Sequence, residues 1–148
     1  MKLIDTHAHI YYDDYSNRID DVISAASDNG VEKIISIGVD LKSSEECLKL
    51  AEKYEPVYAT CGIHPHEADK APKRYLYELE QFYELPKVVA VGEIGLDYHY
   101  DFSDRKTQRK IYHEQIEMAK SLELPTVVHC RKSDDEILGG IKESGHNS

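Results

Sequence analysis

Five short runs rich in Val and Ile alternate along the chain with five segments of helical period, and this alternation narrows the fold more than any other feature. The runs are Leu3–Ile10, Lys33–Val39, Val57–Ile63, Val88–Leu96 and Pro125–Cys130. After the first, Ile19, Val22, Ile23 and Ala26 follow the i, i+3, i+4, i+7 pattern, which predicts a helix capped by Ser16 and stopped by Gly30. Cys47, Leu50, Ala51 and Tyr54 make a second helical stripe introduced by Ser43-Ser44, and Leu76, Leu79 and Tyr83 a third after Pro72. A long helix is predicted from about Ser103 to Leu122, with Tyr112, Ile116 and Ala119 on one face. A last one, over Asp134–Ser144, is weakened by Gly139-Gly140. Connections of this kind imply right-handed βαβ crossovers and a parallel sheet. No linker or low-complexity segment divides the chain, so residues 1–148 read as a single α/β domain. Its length falls below the roughly 250 residues typical of a complete barrel of eight strand–helix units.

Polar residues gather where such a fold places reactive groups, at the carboxyl ends of the strands. The first run, with Leu3, Ile4 and Ile10 read as buried, ends in Asp5-Thr6-His7-Ala8-His9. Residues two apart on a strand share a face, so His7 and His9 are expected side by side, within reach of one cation. An isolated H-x-H is more often a hydrogen-bonded pair without a metal; the downstream residues reverse that balance. The third run leads into Gly62-Ile63-His64-Pro65-His66, the fourth holds Gly92-Glu93-Ile94-Gly95-Leu96-Asp97, and the fifth ends in His129-Cys130-Arg131. Six of the eight histidines, His7, His9, His64, His66, His99 and His129, fall in or near these ends, which random scatter does not produce.

Glu93 interrupts an apolar strand, where an unpaired carboxylate is costly; among imidazoles it suits a bridge between two cations. His129, beside Glu93 in the expected sheet, is read as a further ligand. His64 is read as a substrate contact rather than a ligand, with a rigid His-Pro-His turn as the alternative. His66 is assigned a supporting role, and Asp97 either orients a ligand or caps the following loop. Arg131 suits a phosphate clamp or an acidic partner, Cys130 a buried position, and the tyrosines packing or base stacking.

Net charge is −10, so strong non-specific nucleic-acid binding through basic patches is not expected, although bound divalent ions could supply positive charge locally. Three cysteines without a C-x-x-C point to a reducing, cytoplasmic setting. Asp5 and His7 break the N-terminal apolar run, so no signal peptide is expected, and no stretch approaches a membrane span.

The four motifs, Asp5–His9, Gly62–His66, Gly92–Tyr98 and Val128–Arg131, together resemble the TatD-like metal-dependent deoxyribonucleases, of the amidohydrolase-type superfamily, in order and spacing over nearly the whole chain. The resemblance implies a TIM-barrel-type fold, here truncated to about five strand–helix units, and hydrolysis of DNA phosphodiesters that depends on divalent ions, two of them, as Mg²⁺, Mn²⁺ or Zn²⁺. It implies that His7 and His9 hold one ion, that Glu93 bridges, that His129 holds the second, and that His64 acts near the scissile phosphate. Family members continue through three more strands, which supply a further histidine for the second ion and an aspartate for the first. The 148 residues reach only the fifth unit, so each ion is expected to lack one protein ligand. His146 follows no strand and is not expected to replace that histidine. Open edges on the first and last strands leave three readings: a fragment, a truncated reading frame, or a partial barrel that self-associates into a homo-oligomer to cover them. Two other readings stand beside the nuclease: an amidohydrolase-type ester or amide hydrolase, and a catalytically silent metal-binding scaffold.

Overall fold

The computed structural model describes residues 2–145. Strands β1 (Leu3–Ala8), β2 (Val31–Ile37), β3 (Val57–Cys61), β4 (Val88–Asp97) and β5 (Thr126–Arg131) alternate with helices α1 (Ile19–Asp28), α2 (Leu41–Lys53), α3 (Tyr75–Tyr83), α4 (Arg105–Leu122) and α5 (Asp134–Ser144). Every strand pair is parallel, in the order β1-β2-β3-β4-β5. Sequence neighbours are sheet neighbours, as in a TIM-barrel-type fold carried through five strand–helix units.

The core lies between sheet and helices in three contiguous groups. Cys47 and Ala51 of α2 pack against Ile34, Val57 and Ala59. Leu79 of α3 and Ile111 of α4 pack against Cys61, Ile63 and Val88. Tyr112, Ile116 and Ala119, the expected face of α4, close over Val91, Ile94 and Leu96. Gly140 has a positive use in α5, because a Cβ there would lie 2.7 Å from the Tyr112 ring.

Local boundaries differ from the sequence reading in ways that have physical causes. Ser16 does not cap α1; its hydroxyl and N–H both donate to the Asp13 carbonyl, closing a short 3₁₀ turn. Asp40 caps α2 instead, in a reciprocal box with Ser43, and Asp104 caps α4. Of the three residues read as buried in the first run, Ile10 is buried in the core group around Cys47, but Leu3 is 39% and Ile4 59% exposed, because β1 is an edge strand that pairs with β2. Cys130 is also exposed, on the opposite edge strand β5. His146 lies outside the described residues.

Two buried glutamines of α4 anchor the strand ends. Gln115 accepts from the Ile63 N–H at 2.7 Å and donates to the Ile63 carbonyl at 3.1 Å. Gln108 does the same for the Asp97 backbone, at 2.9 and 3.2 Å. Each amide thereby satisfies backbone groups that parallel pairing leaves open at the carboxyl end of a strand. Gln115→Leu is expected to cost about 2 kcal/mol by orphaning both Ile63 groups. Thermal melting should show a fall in Tm of about 4–8 °C; an unchanged Tm would contradict the anchoring role.

Candidate metal centre

Two bulges aim the clustered imidazole and carboxylate side chains. Between the pairs Asp5↔Ile34 and Ala8↔Ser36, β1 advances three residues while β2 advances two, placing an extra residue at Thr6-His7. Between Val91↔Thr126 and Ile94↔Val128, β4 gains one at Gly92-Glu93. A bulge turns a strand locally and re-aims the side chain it carries. Gly92 (φ +153°) and Gly95 (φ +140°) make this path possible, because a Cβ on Gly95 would fall 2.0 Å from the His129 carbonyl oxygen.

His7, near the end of β1, and His9, just beyond it, come together: their ring centroids are 5.2 Å apart. His9 Nδ1 lies 3.1 Å from the Ile37 carbonyl and donates to it, so the neutral ring presents its bare Nε2. Burial, and then the charge of His7, push the His9 pKa down and favour that neutral form.

Glu93 is 9% exposed and faces a different histidine with each oxygen. Oε2 is 3.6 Å from His7 Nε2, and Oε1 is 3.4 Å from His129 Nδ1. Two donors on one tetrahedral ion with bonds of about 2.0–2.1 Å stand roughly 3.3 Å apart, so both spacings suit a shared cation. Burial pushes the Glu93 carboxyl up, but the His129 contact and the charges of His64 and His7 outweigh it and hold the pKa below the usual value.

His129 spans two carboxylates. Its Nε2 donates to Asp97 Oδ2 at 3.0 Å, leaving Nδ1 toward Glu93, and the Glu93 contact raises its pKa against the opposing effect of burial. Asp97, fully buried, is the hub behind these imidazoles: Oδ2 also accepts from His66 Nε2 at 2.8 Å, and Oδ1 accepts from the N–H groups of His99 and Tyr100 at 2.9 and 3.0 Å. Asp97 therefore caps the following loop, one of its two sequence readings, and with its other oxygen bonds the His129 and His66 rings. A carboxylate behind a ligating imidazole fixes tautomer and ring orientation.

His64 is 9% exposed, and burial, then the charge of His129, push its pKa down to about 4. Its Nδ1 accepts from the His66 N–H at 3.1 Å, so the neutral ring carries its proton on Nε2 as a donor. The His-Pro-His segment is the start of a 3₁₀ turn, Pro65–Lys70, capped by that bond. His7, His9 and Glu93 form one group, and His64, Glu93 and His129 a second, their ligand atoms within 4.8 Å of one another; Glu93 is common to both. His66, Asp97 and His129 form a third such group, a role the sequence reading did not assign to His66. Arg131 lies over the Tyr100 ring at 4.6 Å rather than among the ligands. The donors are imidazole nitrogens and carboxylate oxygens, an assortment that suits a divalent cation.

Asp97 predicts an acid signature. Burial raises its carboxyl, but the bonds from the Tyr100 N–H, His66, the His99 N–H and His129 outweigh this and hold its pKa well below the carboxylate range. Because the folded-state pKa is depressed, its contribution is complete above the unfolded value of about 3.9 and disappears as pH falls below that. Asp97→Asn should cost about 2 kcal/mol at neutral pH. Melting curves should show the Tm gap between the two proteins narrowing below about pH 4; a constant gap would refute this reading of Asp97.

The chain has counterparts of known sequence and structure. A profile of the family described as TatD related DNase matches residues 4–148. The uncharacterized metal-dependent hydrolase YabD of Bacillus subtilis (strain 168) is 34% identical over 97% of this chain and 56% of its own length. The 3'-5' ssDNA/RNA exonuclease TatD of Escherichia coli (strain K12) is 32% identical over 80% of this chain and 46% of its own. The crystal structure of a TatD family hydrolase from Entamoeba histolytica matches with a TM-score of 0.91 and 32% identity, over 99% of this chain and 56% of that one. The chain thus spans about half the length of these relatives. With five parallel strands in family order and the profile matched across them, this chain belongs to the TatD-related DNase family.

Proposed function

We propose that residues 1–148 form one metal-dependent hydrolase domain that cleaves phosphodiester bonds of DNA. The observation that carries this reading is Glu93, whose two oxygens face histidines from opposite sides at 3.6 and 3.4 Å, as a carboxylate shared by two divalent cations would. His7 and His9 would hold one Mg²⁺, Mn²⁺ or Zn²⁺ ion and His129 the other. Such a pair, when bound, activates water and stabilises charge on the attacking and leaving oxygens. His64, held neutral with its proton on Nε2, donates to a phosphate oxygen; Asp97 and Ile37 hold the ligand rings in place. The activity of the E. coli relative on single-stranded nucleic acid supports the substrate class. Bound cations offset the chain's charge of −10 at the one place a phosphate must approach.

We place the chain in the cytoplasm: Cys47, Cys61 and Cys130 are free thiols, and among the described residues no helix is long and apolar enough to cross a membrane. The open edges of β1 and β5 support association of copies, which light scattering would reveal as a mass above that of one chain.

The deciding experiment is hydrolysis of end-labelled single-stranded DNA with added Mg²⁺ or Mn²⁺, beside a chelated sample and Glu93→Ala. Cleavage is expected only in the unsubstituted, metal-loaded chain. His64→Ala should keep metal affinity and slow cleavage by about 100-fold, the loss of one well-placed donor. A folded chain that binds metal and cleaves nothing would refute the enzyme reading and favour a silent metal-binding scaffold.

A further inference from the structure

Beside the metal centre the β4–α4 loop presents an aromatic pair to solvent. Tyr100 and Phe102 stack with centroids 5.3 Å apart and planes 21° from parallel, yet they remain 39% and 62% exposed. Exposed aromatic surface on a mobile loop would mean little, but this loop is clamped at both ends. Asp97 holds the Tyr100 N–H, and the buried Ser103 hydroxyl donates to the His66 carbonyl at 3.0 Å. The pair reaches the metal centre through His66, whose ring packs edge-on against Phe102 at 4.8 Å and Tyr100 at 5.7 Å while bonding Asp97. Arg131, its guanidinium 4.6 Å from the centre of the Tyr100 ring, adds a cation at the same rim.

A rigid, solvent-facing aromatic stack costs free energy in water and offers a flat π-surface; next to a phosphate-cleaving centre, the group of matching shape is an unstacked base. We propose that Tyr100 and Phe102 form a stacking platform for a nucleobase of the single strand whose phosphate lies at the metal centre, with Arg131 contacting the same nucleotide. The proposal rests on the phosphodiesterase reading and deepens it, since a paired base inside a duplex cannot present its face to Phe102. Substrate preference then follows from base accessibility: single strands and frayed ends over intact duplex, without discrimination by base identity, because every base has a π-face.

The test is fluorescence anisotropy with a labelled single-stranded oligothymidylate whose phosphorothioate linkages resist hydrolysis, and with a strand of equal length and linkage that lacks bases. For the full chain with Mg²⁺, Phe102→Ala is expected to weaken the base-bearing strand about 5- to 100-fold and to leave the base-free strand unchanged; Phe102→Trp should restore binding. Phe102 is exposed and packs into no core group, so the variant should fold, with circular dichroism as the check. Equal effects on both strands, or none on either, would overturn the platform. Cleavage of ordinary strands, followed in parallel, separates the two ideas: intact cleavage with base-independent binding overturns the platform alone. A chain that neither binds nor cleaves any strand overturns it together with the proposed function.

Discussion

Replacing Glu93 with Gln is expected to lower divalent-metal affinity by at least about 100-fold, since outer-shell changes alone cost 10- to 100-fold. The isosteric amide keeps the shape of the side chain but removes the charge on which His7, His64 and His129 converge. It also presents an amide nitrogen to one of the two histidines that now face oxygens at 3.6 and 3.4 Å. Calorimetric titration with Mn²⁺ gives the measurement, with Glu80→Gln as a control carboxylate that is exposed on α3. Equal affinities in the two variants would remove Glu93 from the ligand set and take the shared-carboxylate argument with it.

Gly95→Ala should be the most destabilising single-methyl change in the sheet, at about 3 kcal/mol or more and a Tm lower by about 6–12 °C. The added Cβ would stand 2.0 Å from the His129 carbonyl oxygen, on a residue whose φ of +140° already disfavours a side chain. Neither neighbour can yield cheaply, because the obstacle is backbone of β5 at the register point where Gly95 pairs with His129. Metal affinity should fall as well, since any shift of β5 moves the His129 ring away from Glu93. Gly139→Ala is the matching control: nothing lies within 4 Å of its Cβ position inside α5, so it should raise stability by about 0.5–1 kcal/mol. Thermal melts of the pair test both signs; equal Tm values would show that the β4–β5 approach is not tight.

The regular elements were legible because their signals are local. Helical period in Tyr112, Ile116 and Ala119 located α4, and Val- and Ile-rich runs located every strand within a few residues. The α2 start lies earlier than Ser43-Ser44 because Asp40 precedes the first apolar residue of the stripe, and only the box it forms with Ser43 identifies it as the cap. The exposure of Leu3 and Ile4 has a different reason: hydrophobicity reports what a strand can bury, whereas its neighbours decide what it does bury. The same holds for Cys130 on β5.

By itself the sequence determined the strand–helix alternation, the parallel order that follows from it, and the collection of histidines and Glu93 at one end of the sheet. These depend on residue type and period, which chain-local rules govern. Tertiary structure alone decided how the site is aimed. The bulges at Thr6-His7 and Gly92-Glu93 break the two-residue period, so the direction of Glu93 within an apolar run depends on how β4 meets β5. The four-bond hub at Asp97, the amide anchors of Gln108 and Gln115, and the aromatic pair beside His66 join residues from separate elements, through contacts that no periodicity encodes. Hydrogen bonds and ring contacts of this kind form only after the core has set the distances between strand ends, which is why they are absent from the pattern of the chain and decisive in its fold.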